Sequence, residues 1–112
     1  LRLANSLKES GHTVTTPVDV SEGKFADRQK DKAEFMRGMF EAIKGCGNVL
    51  VVNDDERAGY KGYIGPNTFL QLGMAFALGK TLFCLEQWDP RLPYNEELQA
   101  MGIKKLDIQV RF

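Results

Sequence analysis

The stretch at residues 49–85 constrains the fold of this 112-residue chain more than any other. It opens with the apolar run VLVV, which stops at a polar loop, and the glycine-rich turn GYIG follows at residues 62–65. An apolar helix pattern and a second apolar run, at residues 81–85, complete it. Strand, loop, helix and strand in this order form a βαβ unit. Because ligands of open α/β sheets bind beyond the carboxyl ends of the strands, the loop of this unit is the first candidate for a binding site.

The rest of the chain alternates between helical and extended patterns in the same way. Apolar residues at helical spacing predict helices over residues 1–10, 35–44 and 94–101, and strand patterns occupy residues 12–16 and 107–112. This order predicts a single three-layer α/β domain of flavodoxin-like type, with a parallel sheet and helices on both faces. Such a domain normally opens with a strand, whereas this chain opens with a helix pattern. We therefore expect the first strand to be missing from this chain, whose N-terminus would then be incomplete.

The two central elements carry more detailed predictions. Residues 48–53 form a continuous apolar run between polar ends, which is typical of a parallel strand buried on both faces. The helix after it can be capped by Gly65 or Asn67, has Pro66 in its first turn and ends at Gly79. Its residues are apolar nearly all round, which predicts that it is largely buried. Gln71 is its one interior polar residue.

Composition excludes several classes of function. The 15 basic and 15 acidic residues balance, so nothing indicates a surface for nucleic acid or an anionic membrane. No apolar run approaches the roughly 18 to 20 residues that span a bilayer, and we expect no signal peptide. The charged stretch at residues 21–32 is a solvated helix start or a loop. Cys46 and Cys84 are more typical of buried thiols than of a disulfide, so we expect a cytoplasmic protein.

The glycine-rich turn and the helix start favour a ligand site. Free N–H groups and the positive end of the helix dipole suit a phosphate, a carboxylate or a sugar hydroxyl. Gly62 and Gly65 would let a ligand approach the backbone closely, although such turns also exist only to connect elements. We expect residues 53–67 and 86–90 to face the same pocket. The carboxylates of residues 54–56 could act as acids or bases if desolvated, but in a loop they are usually solvated.

The chain contains none of the standard catalytic or metal-binding motifs. The P-loop, the G-x-G-x-x-G fingerprint and the serine nucleophile elbow are absent from the sequence. His12 is the only histidine and has no partner for a metal or a catalytic triad, so we interpret it as a turn residue. No metal and no cofactor is predicted.

Three sequence blocks, VLVVN, GYIGPNTF and QLGMAFALGK, resemble in this order the nucleoside 2-deoxyribosyltransferase superfamily, most closely its small uncharacterised members. The resemblance runs over residues 42–101, roughly half of the chain. It implies a flavodoxin-like fold, binding of a nucleoside or nucleotide, and association as a homodimer or a higher homo-oligomer. In active members of the family, a glutamate in the first turns of the helix attacks the anomeric carbon of deoxyribose.

Gln71 stands at the position of that glutamate, and Asn48 stands where members often carry an aspartate. A carboxylate can form a glycosyl ester or stabilise an oxocarbenium-like transition state, whereas a neutral amide supplies no negative charge. The resemblance also implies that Asn53 and Asp54 lie at the end of the strand. In that interpretation, the remaining substrate-binding residues line the sugar or phosphate site: Gly62, Tyr63, Gly65 and Asn67.

The sequence therefore leaves three hypotheses open. The first is a nucleoside- or nucleotide-binding protein that cleaves or exchanges an N-glycosidic bond. The second is a non-catalytic nucleotide-sensing or interaction module that kept the pocket and lost the acid. The third is a structural domain whose loop is only a connector, with the Gln71 amide bonded to the backbone or to Asn48.

Overall fold

The computed structural model describes residues 25–106 of the chain. The helix predicted over residues 1–10 and the strands predicted over residues 12–16 and 107–112 lie outside these described residues. The chain divides into two compact units, one formed by residues 40–107 and the other by residues 1–39 with 108–112.

The described part of the unit that contains residues 1–39 is helical. Helix α1 (Phe25–Lys44) begins within the charged stretch, so that stretch contributes a helix start. The side chains of Phe35, Met36 and Met39 are half-buried, whereas Arg37 between them is exposed. The apolar residues in this part of α1 therefore lie on a half-buried side of the helix, and the helix itself was predicted from their spacing.

The compact unit of residues 40–107 includes the end of α1, from residue 40 to residue 44, and contains a βαβ motif. Its further elements, in chain order, are β1 (Asn48–Val51), β2 (Glu56–Arg57), β3 (Tyr60–Lys61), α2 (Pro66–Ala77), β4 (Thr81–Cys84), α3 (Asn95–Ala100) and β5 (Lys104–Lys105). Strands β1, β4 and β5 form a parallel sheet in the order β1-β4-β5, with Val51 opposite Cys84 and Phe83 opposite Lys104. A mixed α/β fold with a parallel sheet was predicted, and this part of the prediction is confirmed.

The core of this unit lies between the sheet and the elements that pack on it. It is made of fully or nearly fully buried apolar side chains from helices, strands and loops alike: Ile43, Val51, Ile64, Leu72, Ala75, Leu82, Cys84, Trp88, Leu92 and Leu98. Each of the valine, leucine and isoleucine side chains among them contributes roughly 1.5 to 3 kcal/mol through removal from water. Cys84 is a free thiol inside this core, and burial raises its pKa. Cys46 is also free but only half-buried.

The prediction that residues 48–53 are buried on both faces is wrong. Val51 is buried, but Val49 and Leu50 are half-buried and Val52 is 47% exposed. Among the described strands, β4 is the inner one, with β1 on one side and β5 on the other. An apolar run reports the hydrophobicity of a strand but not its place in the sheet, and here the better-covered strand is β4.

Helix α2 begins and ends where the sequence indicated. Gly65 is its N-cap with extended backbone angles, Pro66 is its first residue, and Gly79 follows its end with φ +73°. The prediction that α2 is largely buried is wrong, because Leu70 and Phe76 are 49% and 52% exposed. The helix packs on β1 and β4 and buries Leu72 and Ala75, whereas Leu70, on the opposite side, is half exposed.

A small antiparallel hairpin, β2–β3, interrupts the loop between β1 and α2. Its two strands pair Glu56 with Lys61 and Arg57 with Tyr60. Ala58 and Gly59 make its turn with positive φ angles of 53° and 80°, the signature of the tight turns that suit two-residue hairpin loops. The sequence predicted only a polar loop after β1, so the hairpin was not expected. Within residues 25–106, no helix is both long and apolar enough to cross a membrane.

Candidate functional site

An open pocket lies at the carboxyl edge of the parallel sheet. Strands β1 and β4 end side by side, and the loops that follow them enclose a volume of about 380 Å³. Its lining comes from the loop after β1, the hairpin and the loop after β4: Asp54, Asp55, Glu56, Lys61, Gly62, Glu86 and Gln87. The structure thus brings together parts of the two loops that were predicted to face one pocket.

Asn53 connects these loops to one another through side-chain hydrogen bonds. Its side chain is 2% exposed, and its Nδ2 donates to the carbonyl oxygens of Gly62 (3.1 Å) and Glu86 (2.7 Å). Its Oδ1 accepts from the backbone N–H groups of Leu85 (3.1 Å) and Glu86 (3.0 Å). An amide side chain has two donor hydrogens and two acceptor lone pairs, so these four bonds use its whole capacity. In this structure Asn53 therefore positions the pocket loops and has no polar group left for a ligand.

Gly62 packs closely against the loop after β4. Its φ is +61°, and a Cβ atom there would lie 2.4 Å from the carbonyl oxygen of Gln87. A side chain would therefore be strained by the backbone angle and would also collide with the loop after β4. The close approach that requires glycine at this position is to the protein's own backbone, whereas the sequence suggested approach by a ligand.

Hydrogen bonds connect the hairpin to the loop after β4 at two points. The Asp89 N–H donates to the carbonyl oxygen of Lys61 (3.1 Å), and Arg91 Nη2 donates to that of Gly59 (3.1 Å). Arg91 also forms an ion pair with Asp89 (2.7 Å) and lies over the ring of Tyr60, 5.6 Å from its centroid. The hydrogen bonds from Arg91 lower the pKa of the Asp89 carboxyl. Because the Arg91 side chain is exposed, we expect its contacts to order the hairpin more than they stabilise the fold.

A tyrosine from the end of the same loop contacts the turn that leads into α2. The Tyr94 hydroxyl donates to the carbonyl oxygen of Ile64, and the Tyr94 ring stacks on Phe69 with centroids 4.6 Å apart and planes at 20°. Burial, followed by the nearby Tyr63 phenol, raises the pKa of Tyr94. Sequence reading missed Tyr94, since nothing local to residue 94 points to a partner 30 positions earlier.

The start of α2 presents free backbone donors. Gly65 provides no side-chain cap, Pro66 has no N–H, and the first helical bond runs from the Phe69 N–H to the Gly65 carbonyl (2.9 Å). Among the described residues, the N–H groups of Asn67 and Thr68 have no hydrogen-bond partner. The first turn of α2 contains no acidic side chain that would neutralise the positive end of the helix dipole. This end of the helix therefore retains the donors that were predicted for an anion or a hydroxyl group.

Gln71 lies one turn further along α2. Its side chain is half-buried, and its amide forms no hydrogen bond to any residue in the range 25–106. No buried polar atom among the described side chains lacks a partner, so solvent reaches the Gln71 amide. The interpretation of Gln71 as an amide bonded to the backbone or to Asn48 is therefore not what the structure shows.

Apart from Asn53, the residues predicted for the site fall into three groups. Asp54 and Gly62 line the pocket, whereas Tyr63, Gly65, Asn67 and Gln71 belong to the turn and the start of α2 and are not among its lining residues. The Tyr63 ring lies beside Gly65, 3.2 Å from where a Cβ would be. Asn48 is exposed at the amino end of β1. At a strand rise of roughly 3.3 Å per residue, it lies about 10 Å from Val51 at the carboxyl edge.

Three of the four acidic residues that line the pocket follow β1, and they are solvated, as acidic side chains in a loop usually are. Asp54, Asp55 and Glu56 are exposed, and the Asp55 carboxylate faces Arg57 at 3.5 Å on the surface. None of the three has the desolvated surroundings that a catalytic acid requires. Among the described residues, no group of three or more histidine, cysteine or carboxylate side chains is arranged to hold a metal ion.

Comparison of the chain with protein-family models, with curated proteins and with solved structures gave no match.

Proposed function

We propose that this protein binds a nucleoside or nucleotide at the start of α2 and the adjoining pocket edge, and that it is related to the nucleoside 2-deoxyribosyltransferases. The observation that carries the proposal is the combination of free donors in the first turn of α2 with the unpartnered amide of Gln71 one turn later. Both occur in the helix that follows the carboxyl end of a parallel strand. The parallel order β1-β4-β5 is compatible with a flavodoxin-like sheet, which is part of the same proposal.

The chemistry of these groups suits a sugar. The N–H groups of Asn67 and Thr68 would donate to a hydroxyl or phosphate oxygen, with the helix dipole adding to the attraction for an anion. The Gln71 amide can both donate and accept, which matches a sugar hydroxyl. The ring of Tyr63, which stacks 6.3 Å from Tyr60, offers an aromatic face at the same end of the helix.

Cleavage of the N-glycosidic bond is the enzymatic form of the proposal, and a non-catalytic nucleotide-sensing module is its alternative. Gln71 supplies no negative charge to stabilise an oxocarbenium-like transition state. The exposed carboxylates of the pocket do not replace it. The alternative is therefore favoured for the chain as it stands, and Gln71→Glu is the substitution that separates the two.

Self-association as a homodimer or a higher homo-oligomer belongs to the proposal. It is supported by the large apolar side chains that the described part of the chain leaves exposed: Val52, Leu70, Phe76 and Leu78. Leu70, Phe76 and Leu78 belong to α2 and its C-cap, and exposed apolar side chains mark contacts between protein chains where they form a contiguous patch.

The binding proposal is tested by calorimetry and thermal unfolding with 2'-deoxynucleosides and their 5'-monophosphates. A ligand at about 100 times its dissociation constant adds roughly 2.7 kcal/mol to the stability. We expect Gln71→Met to weaken binding, whereas the matched variant Gln99→Met, on the exposed face of α3, should bind as the unmodified protein does. If no nucleoside or nucleotide binds, the proposal is wrong.

The enzymatic form is tested by chromatography of the free base after incubation with deoxynucleosides. We expect Gln71→Glu to release more base than the unmodified protein. If both bind a nucleoside and neither releases base, the binding module is correct and the enzymatic form is not.

A further inference from the structure

We infer that Tyr94 is a positioning residue of the proposed site, because it holds both ends of the first turn of α2 and so sets the direction of the free N–H groups between them. The inference rests on the proposed function. It adds to the site Tyr94, the last residue of the loop after β4, which was not among the predicted site residues.

The first contact is the hydrogen bond from the Tyr94 hydroxyl to the carbonyl oxygen of Ile64. That carbonyl belongs to the peptide group whose N–H is that of Gly65, the N-cap of α2. Helices are usually capped by a Ser, Thr, Asp or Asn side chain, whose oxygen accepts a hydrogen bond from an N–H group of the first turn and so helps to fix that turn. Glycine has no side chain, so the orientation of the turn depends on a bond from elsewhere in the chain, and Tyr94 provides it.

The second contact is the stacking of the Tyr94 ring on Phe69, at 4.6 Å between centroids. Phe69 donates the first helical hydrogen bond, to the Gly65 carbonyl (2.9 Å). Tyr94 therefore contacts the residue before the N-cap and the residue that closes the first turn. Asn67 and Thr68, whose N–H groups are free among the described residues, lie between these two contacts.

Tyr94 is itself held firmly. It is the N-cap of α3, and its neighbour Asn95 accepts a hydrogen bond from Trp88 Nε1 at 2.7 Å. Trp88 is 5% exposed and Leu98, on the buried face of α3, is fully buried. Burial raises the pKa of the Tyr94 phenol, so it remains a hydrogen-bond donor throughout the neutral range. A fixed donor on a packed support is what a positioning role requires.

The test compares Tyr94→Phe with the matched variant Tyr60→Phe. The first removes the donor and keeps the ring. The second removes a hydroxyl that makes no hydrogen bond to the described residues, from a ring that is also half-buried. At a temperature where every variant is folded, we expect Tyr94→Phe to weaken binding of a 2'-deoxynucleoside about three- to tenfold, as one neutral hydrogen bond would. Tyr60→Phe should bind within twofold of the unmodified protein.

Nuclear magnetic resonance of the backbone amides gives a readout that general destabilisation would not move. We expect the free-state amide signals of Asn67 and Thr68 to shift in Tyr94→Phe and to stay in place in Tyr60→Phe. Their shift on addition of the deoxynucleoside should be smaller in Tyr94→Phe.

The results distinguish a failure of the Tyr94 inference from a failure of the proposed function. If the unmodified protein binds no nucleoside or nucleotide, the proposed function is wrong and the inference falls with it. If the unmodified protein and Tyr94→Phe bind equally well, or if Tyr60→Phe loses as much affinity, the inference is wrong and the proposed function stands.

Discussion

Replacing Asn53 by aspartate should make the stability of this protein depend on pH in a direction that the four hydrogen bonds of Asn53 determine. The Oδ1 contacts to the N–H groups of Leu85 and Glu86 can be kept by a carboxylate oxygen. The Nδ2 position, however, faces the carbonyl oxygens of Gly62 at 3.1 Å and Glu86 at 2.7 Å. A carboxylate oxygen placed there would repel both carbonyls, so the folded state favours the protonated acid.

The magnitude follows from these contacts. The protonated acid can donate one hydrogen bond where Asn53 donates two, which costs about 1 kcal/mol at any pH. Keeping the acid protonated at pH 7, against an ordinary pKa of about 3.9, costs up to about 4 kcal/mol more at 1.36 kcal/mol per pH unit. The folded-state pKa of the introduced carboxyl is raised above the unfolded value, so the folded state binds more protons between the two. Stability therefore falls as pH rises through this window, and the loss is small near pH 4.

Urea unfolding between pH 4 and pH 8 measures this dependence. Trp88 is the only tryptophan and is 5% exposed, so its fluorescence reports the unfolding of the core. Asn53→Ala should lose roughly 2 to 4 kcal/mol at every pH, because it removes the hydrogen-bond partner of the Gly62 carbonyl and of both Glu86 backbone groups without adding a titrating group. Asn67→Asp, at an exposed position in the first turn of α2, should be neutral or slightly stabilising at pH 7. If Asn53→Asp is as stable as the unmodified protein at pH 7, or if its deficit does not change with pH, Asn53 does not act as described.

Three further predictions concern the same region. Gly62→Ala should lower the free energy of unfolding in urea by about 2 to 4 kcal/mol, because it adds a 2.4 Å collision to an unfavourable φ. Gly59→Ala, with open space around it, should lose only about 1 kcal/mol, and equal losses in the two variants would contradict the collision. Arg91→Met should change the free energy of unfolding by less than about 1 kcal/mol but speed the hydrogen exchange of the hairpin amides. Unchanged exchange rates would show that Arg91 does not order the hairpin. Leu70→Lys should shift the protein to a smaller species in size-exclusion chromatography with light scattering, whereas Lys30→Leu on α1 should not. If the unmodified protein is already a monomer, self-association is refuted.

Local patterns in the sequence were sufficient for the elements that local physics determines. The apolar runs around the glycine-rich turn predicted β1, α2 and β4, and Gly65 with Pro66 located the start of α2. The hairpin escaped detection because strands of two residues have no measurable period. The burial of α2 was overestimated because its composition is apolar on both sides, while the sheet covers only one.

The candidate site was harder to predict because its contacts join distant parts of the chain. Asn53 was identified as a residue of interest, but the same amide can bind a ligand or fasten loops, and its partners lie 9 and 33 positions away. Tyr94 gave no signal, since its importance comes from a carbonyl 30 positions earlier. The free amide of Gln71 could not be inferred either, because a lack of hydrogen-bond partners depends on every neighbour.

The long reach of Asn53 has a consequence for the order of folding events. Its bonds to residues 85 and 86 can form only after β1 and β4 have paired, because they lie just beyond the last paired residues, Val51 and Cys84. Contacts that depend on completed pairing form late, so replacement of Asn53 should mainly accelerate unfolding and leave the folding rate nearly unchanged. The loops that carry the candidate pocket would then be the last part of the sheet edge to assemble and the first to open.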